Sequence, residues 1–429
     1  MQHDVTEIRL ANGIRGLLIN VPDAPVMTFD FCFRAGYYTS TDKTKWETPH
    51  VLEHVLLGAN KKHPKARLFN AELEKNGAYS NGTTSQNSVH YIAECADFEW
   101  DRILGLMTTA LTEPLLKPSE FKAELGNVHE ELVGYATNYF RVLGSKLSQE
   151  MGLDIVTDEE RVGLLDNIKL RDVKEHYLKT HTSKNLRFII GGKIRGRKQA
   201  IVDHLRRDLG KLPSGERFDY PQEKIATLDR ALYIDKPDVE KLHFYLDTYA
   251  GHRISDEEYD DLNILNAMLT GTLHSLMFGE AREKGLVYGM WSGGQRGPDY
   301  TSWWFGGNVT EAKAEKLFGL MRDKLQHLLK GHVKTQDVDA AKKFVLGRFQ
   351  RSNQRVGDVV NGYSGSYFYD ETVDEYDKIP DYIMSVNKKR IIAIARKLVD
   401  EKIWGFGLLG RSSQDKADRY REILSDIWQ

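Results

Sequence analysis

The chain has 429 residues, enough for two or three domains and a sizeable core. Apolar residues make up 41% and charged residues 28%, ordinary globular usage that excludes a disordered or fibrous protein. Sixty Lys and Arg against 62 Asp and Glu leave a formal net charge of −2, so no global attraction to nucleic acid or anionic membrane is expected, and no apolar run is long enough for a membrane-spanning helix.

The first ten residues, MQHDVTEIRL, have neither the basic nor the apolar region of a signal peptide. Two cysteines, Cys32 and Cys95, are too few for a disulfide framework. A reducing, cytoplasmic setting is the expectation. Ile14 to Asn20 reads as a short apolar strand. Val26 to Phe33 alternates Val, Thr, Asp and Cys with Met, Phe, Phe and Phe, the period of a strand. A loop over Ala35 to Lys45 precedes a helix from Thr48 to Leu57, where Pro49 suits the first turn. A second helix is expected over Ala66 to Asn76. Ala78 to Ala93, rich in Tyr, Thr, Ser and Val, reads as a pair of strands. Helical patterns follow at Trp100 to Leu111 and Pro118 to Tyr135, the latter extending toward Glu150.

Residues 210–227, GKLPSGERFDYPQEKIAT, lose all apolar periodicity and read as a linker. It separates an expected domain at 1–215 from a second at 228–429. The halves look duplicated. Phe69 to Ser80 (FNAELEKNGAYS) shares Phe, Glu, Lys and Tyr with Phe278 to Gly289 (FGEAREKGLVYG), and Gly105-Leu106-Met107 recurs as Gly319-Leu320-Met321. Strands and helices mixed within each half predict an α+β fold of two similar sandwich domains, each a mixed or antiparallel sheet with helices packed on it. The aromatic run Tyr300, Trp303, Trp304 and Phe305 reads as core or interface packing and not as a substrate groove.

The sharpest motif is His50-Val51-Leu52-Glu53-His54. On a helix at about 100° per residue, His54 lies about 40° from His50 and Glu53 about 60° to the other side. Two imidazoles one turn apart can share a zinc ion, and the carboxylate beside them can take a proton from water. A catalytic zinc needs a third protein ligand and an open position. Glu120, Glu124 and Glu131 form one stripe on the following helix, with Glu130 roughly 80° away from it. Periodicity alone does not choose among these glutamates.

Taken together, these features resemble the pitrilysin, insulinase and mitochondrial processing peptidase family of inverzincin metallopeptidases. His50, Glu53 and His54 are followed by Glu131 with 76 residues between His54 and Glu131, and Glu124 and Glu131 match the family's glutamates seven apart. The stretch from Gly77 through Ala78, Tyr79, Ser80, Asn81, Gly82 and the Thr83-Thr84 pair to Tyr91 matches the family's Gly-Ala step and Thr-rich strand. Leu269 to Tyr288, LTGTLHSLMFGEAREKGLVY, is similar to its C-terminal helix and strand, although Arg282 and Tyr288 are six apart where the family usually has seven.

The resemblance implies one zinc ion per chain, held by His50, His54 and Glu131, with Glu53 as general base and Glu124 steering a histidine ligand. It implies an edge strand at Ala78, Tyr79, Asn81 and Gly82 that pairs with an extended substrate, and Arg282 and Tyr288 as substrate contacts. The second domain would lack metal ligands. The implied activity is that of a zinc endopeptidase acting on peptides or unfolded segments inside a closed chamber. Single-chain relatives are about twice this size and fold as a clamshell, so the resemblance implies a homodimer. The alternatives are a heterodimer whose partner supplies the Arg/Tyr pair, or a non-catalytic structural subunit.

Overall fold

The computed structural model describes residues 1–429. The first half runs β1 (Asp4–Arg9), β2 (Arg15–Asn20), β3 (Val26–Phe33), α1 (Thr48–Leu56), α2 (Ala66–Glu74), β4 (Tyr79–Thr84), β5 (Val89–Ala96), α3 (Trp100–Thr112), α4 (Pro118–Ala136), α5 (Tyr139–Glu150), α6 (Asp158–Leu164), α7 (Leu170–Thr180), β6 (Leu186–Gly192) and α8 (Lys198–Leu209). The second half runs β7 (Leu232–Asp235), β8 (Lys241–Ala250), α9 (Asp256–Thr270), α10 (Phe278–Glu283), β9 (Val287–Arg296), β10 (Thr301–Thr310), α11 (Glu311–Leu329), α12 (Thr335–Ser352), α13 (Val356–Tyr369), α14 (Ile379–Ser385), α15 (Lys388–Val399), β11 (Ile403–Gly410) and α16 (Gln414–Ser425). No helix is long and apolar enough to cross a membrane. Both cysteines are buried and unpaired.

The two sheets have matching topologies. The first is ordered β1-β2-β6-β3-β5-β4 and the second β7-β11-β8-β10-β9. In each, one parallel pair (β2 with β6, β7 with β11) adjoins antiparallel strands. Strand β1 is the only addition in the first sheet. The sequence matches fall on equivalent elements. Phe69 lies in α2 and Phe278 in α10, Tyr79 in β4 and Tyr288 in β9, and the two Gly-Leu-Met triplets in α3 and α11. The α+β fold of two similar domains is therefore present.

The compact units do not follow a single cut in the sequence. Unit 1 comprises Met1–Val133, Glu159–Pro221 and Ser352–Asp377, and unit 2 the remaining three segments, Gly134–Asp158, Gln222–Arg351 and Lys378–Gln429. Residues 213–228 carry no helix or strand, and the Pro221/Gln222 boundary falls among them. Each unit nevertheless takes one helix from the other half of the chain: α13 packs on β6 and β3 of unit 1, and α5 on β8 and β11 of unit 2. A 1–215 and 228–429 division misses this exchange because neither helix departs from ordinary amphipathic patterning. The helical pattern after Pro118 also stops short of Glu150. It breaks at Ala136, and Asn138 caps α5 by accepting a hydrogen bond from Arg141 N at 3.2 Å, the usual work of an N-cap side chain.

Strand β3 shows how alternation builds unit 1. Met27, Phe29, Phe31 and Phe33 enter the core with Val51, Leu52, Val55 and Leu56 of α1 and Leu104 and Met107 of α3. The alternate residues face α13, where Asp30 accepts a hydrogen bond from Ser364 Oγ at 2.9 Å. The period of two sorts the side chains onto the two faces. In unit 2, Trp303 and Phe305 join the core, while Trp304 meets Tyr245 and Phe140 at centroid distances of 5.6 and 5.7 Å. The aromatic run is packing, as its pattern indicates.

Candidate metal centre

Helix α1 is fixed by its apolar side. Val51, Leu52, Val55 and Leu56 are fully buried, which turns His50, Glu53 and His54 toward α4 and β4. Helix α4 buries Val128 and Leu132 and turns its glutamate stripe toward α1. The His50 and His54 rings lie 4.9 Å apart and nearly perpendicular.

The three candidate ligands converge. Donor atoms of His50, His54 and Glu131 all lie within 4.8 Å of one another. Glu131 Oε2 is 3.6 Å from His50 Nε2 and 3.4 Å from His54 Nε2. Zinc bonds of about 2.0–2.1 Å in tetrahedral array place neighbouring donors about 3.3 Å apart, so the spacing fits a shared ion. Each imidazole turns its other nitrogen to a carboxylate: His50 Nδ1 to Glu47 at 3.0 Å and His54 Nδ1 to Glu124 at 3.3 Å. With the proton of each neutral ring on Nδ1, the Nε2 atoms are the ones turned toward Glu131, the arrangement metal-ligating histidines adopt. Two histidines and one glutamate are also the donor set of zinc sites that keep an open position.

The remaining stripe residues separate. Glu120 accepts hydrogen bonds from Ala59 N at 3.1 Å and Ala66 N at 2.8 Å, tying the α1–α2 loop to α4. Glu130 is 83% exposed at its side chain. The helical phase placed these correctly on and off the face, but only the fold distinguishes the loop anchor from the residues at the histidines.

Glu53 is buried beside the triad. Its Oε2 accepts a hydrogen bond from Thr84 Oγ1 at 2.7 Å. Gly82, on the same strand, is packed so closely that a Cβ there would sit 2.5 Å from Glu53 Cγ. Glycine is needed because the strand backbone forms one wall around this carboxylate. Strand β4 is the sheet edge, paired only with β5. Ala78 is buried just before it, while Tyr79 and Asn81 are exposed, so the free edge is accessible.

The electrostatics favour a cation. Burial would lower the His50 pKa, but the Glu131 and Glu47 carboxylates, with Glu53 nearby, raise it to about 9. Burial raises the Glu53 carboxyl against the pull of His50 and Thr84. The hydrogen bond from His54 holds Glu124 below its usual value. A metal must displace the His50 proton, because only the neutral ring is a ligand. Zinc uptake at pH 7 is therefore expected to release a proton, with affinity rising as pH climbs toward 9. Calorimetry in two buffers of different ionisation enthalpy checks this. A heat that does not depend on the buffer would contradict it.

Arg282 and Tyr288 meet each other in unit 2. Helix α10 ends in a Schellman turn, with Leu286 N bonded to Ala281 O at 2.8 Å and Gly285 N to Arg282 O at 2.9 Å. Gly285 takes φ +64°, the left-handed conformation this turn requires. The short reversal brings Arg282 Nη1 to within 2.5 Å of Tyr288 O, with its guanidinium 4.8 Å from the tyrosine ring centre. Tyr288 is 78% exposed on β9, the edge strand of its sheet.

Sequence reasoning missed three contributors: Glu47 and Arg161 behind His50, and Thr84 on Glu53. Glu47 lies one helical turn before His50, so the i, i+3 spacing was a usable signal. Arg161, on α6, gave none, and Thr84, although part of the Thr-rich strand, gave no sign of its contact with Glu53.

Residues 18–154 match the family described as insulinase (peptidase family M16), and residues 167–345 match the peptidase M16 inactive domain. An uncharacterised zinc protease of Bacillus subtilis is 22% identical over 91% of this chain and 94% of its own length. Another from Streptomyces coelicolor is 20% identical over 99% and 94%. Among solved structures, a Helicobacter pylori protease superposes with a TM-score of 0.80 at 18% identity, covering 95% of this chain and all of that one. A Pseudomonas fluorescens structure described as a peptidase M16 inactive domain gives 0.83 at 14% identity, covering 96% and 98%. A putative M16-like peptidase from Alicyclobacillus acidocaldarius gives 0.82 at 17%, covering 96% and 99%.

Proposed function

Since the chain belongs to the pitrilysin and insulinase family, M16, of peptidases, we propose that it is a zinc metalloendopeptidase that hydrolyses peptides or unfolded polypeptide segments. The observation that carries this reading is the convergence of His50, His54 and Glu131 with the buried Glu53 carboxylate beside them. A zinc ion held by the three side chains would polarise a scissile carbonyl and lower the pKa of water. Glu53 takes the proton of the attacking water and returns it to the leaving amine. Its burial raises its pKa, which suits a base that must also act as an acid near neutrality. Thr84 and Gly82 hold the carboxylate in place. The β4 edge binds the substrate as an added strand, with Asn81 on its exposed face. The inactive-domain match begins at residue 167, after every residue of this centre, and so does not weigh against catalysis.

We further propose that the chain works as a homodimer, one copy presenting Arg282 and Tyr288 to the metal centre of the other. The exposure of both side chains supports this, Arg282 on α10 and Tyr288 on the edge strand β9, since Tyr288 is not committed to its own core. Arg282 and Tyr288 then orient the substrate carbonyl and steady its developing oxyanion. Light scattering of the purified chain, with peptidase activity followed across the elution peak, tests the assembly. A dimer carrying the activity is expected, and an active monomer would contradict it. An enclosed chamber also predicts that short peptides are cut and stably folded proteins are not. Equal rates on both would overturn that selectivity.

A further inference from the structure

His50 is held from behind by a buried pair of opposite charges drawn from separate parts of the chain. Glu47, the residue preceding α1, has a side chain with no exposed surface. Its Oε2 accepts hydrogen bonds from His50 Nδ1 and from Arg161 Nη2, both at 3.0 Å, and its Oε1 accepts one from Arg161 Nε. The Arg161 fork is therefore bidentate, the geometry that fixes a carboxylate most firmly. Arg161 is itself 6% exposed. Its Nη2 also donates to Tyr37 Oη, and its guanidinium centre lies 4.9 Å from the Tyr37 ring centre. The Tyr37 ring in turn stacks on Trp46 at 5.5 Å.

Resting on the reading of His50, His54 and Glu131 as zinc ligands, we infer that Glu47 and Arg161 are positioning residues for the metal centre. A carboxylate only accepts, so the Glu47 contact requires His50 to carry its proton on Nδ1. Once the ring is neutral, its Nε2 lone pair is therefore the one presented toward Glu131. Arg161 holds Glu47 in plane and cancels its charge, which lets a carboxylate sit buried behind the ligand. The other histidine has a weaker support, since its partner Glu124 is 27% exposed and accepts at 3.3 Å. His50 is the fixed half of the site, and His54 with Glu131 forms its outer edge.

The test measures zinc dissociation constants by chelator competition, together with the visible spectrum of the cobalt-substituted protein. The variants are Glu47→Gln, Arg161→Met, Arg161→Lys and the Glu47→Gln/Arg161→Met double. Glu47→Gln and Arg161→Met are expected to weaken zinc binding about 10–100-fold and to alter the cobalt spectrum, as losses behind a metal ligand do. Arg161→Lys keeps the charge without the fork and should fall between wild type and Arg161→Met. If Arg161→Met does not fold, the double variant carries the test, because it buries no uncompensated charge. A purely structural ion pair would change melting temperature and leave both metal readouts alone. Folded Glu47→Gln and double variants that bind zinc within about twofold of wild type, with an unchanged cobalt spectrum, would overturn the inference. Wild-type protein that takes up no zinc would instead overturn the metal reading on which it rests.

Discussion

Replacing Glu53 with glutamine is expected to lower kcat for peptide cleavage by about 10²–10⁴-fold, the usual contribution of a positioned general base, while zinc content stays at the wild-type level. The amide keeps an oxygen that can accept from Thr84 Oγ1 and fits the same space beside Gly82. What it loses is the ability to accept the water proton. Because burial already disfavours the ionised Glu53 carboxyl, the neutral amide should not reduce the melting temperature. Steady-state kinetics beside metal analysis and thermal melting separates loss of chemistry from loss of fold. A variant that retained wild-type kcat would show that Glu53 is not the base.

The second large effect is on the metal. With His54→Ala or Glu131→Gln, zinc retained after dialysis should drop from about one ion per chain to below about a tenth, because two ligands do not hold a three-ligand site. Activity should fall with it. The α4 stripe supplies graded controls. Glu124→Gln removes only the carboxylate behind His54 and should weaken zinc about 10–100-fold. Glu130→Gln, next to Glu131 but facing solvent, should leave zinc content and activity unchanged. Equal zinc loss in the Glu130 and Glu131 variants would mean that the helix, and not the donor set, matters.

Much of this centre was legible in the sequence because helices translate spacing into direction. The i, i+4 histidines share a face, and the seven-residue interval between Glu124 and Glu131 keeps both on one stripe. Periodicity could not say that Glu120 would instead bind the backbone of Ala59 and Ala66, since that depends on where the α1–α2 loop runs. Strand β3 was read to the residue, Val26–Phe33, because its alternation is strict. The exchange of α5 and α13 was not legible. An amphipathic helix shows that it packs on something, but not on which of two similar sheets. Arg161 was hidden for a related reason. Its partner Glu47 is 114 residues away, and a lone arginine in a short helix reads as a surface charge until the fold buries it. Gly82 had a recognisable place in the strand pattern, yet its reason, the closeness of Glu53, is visible only in three dimensions.

The decisive measurement is zinc stoichiometry and cleavage of a mixed peptide library, taken side by side on wild type and Glu53→Gln at equal zinc loading. About one zinc per chain is expected in both proteins, with cleavage by the wild type alone. Equal cleavage by the two proteins, or full activity in wild type stripped of metal, would contradict zinc-dependent cleavage with Glu53 as the base.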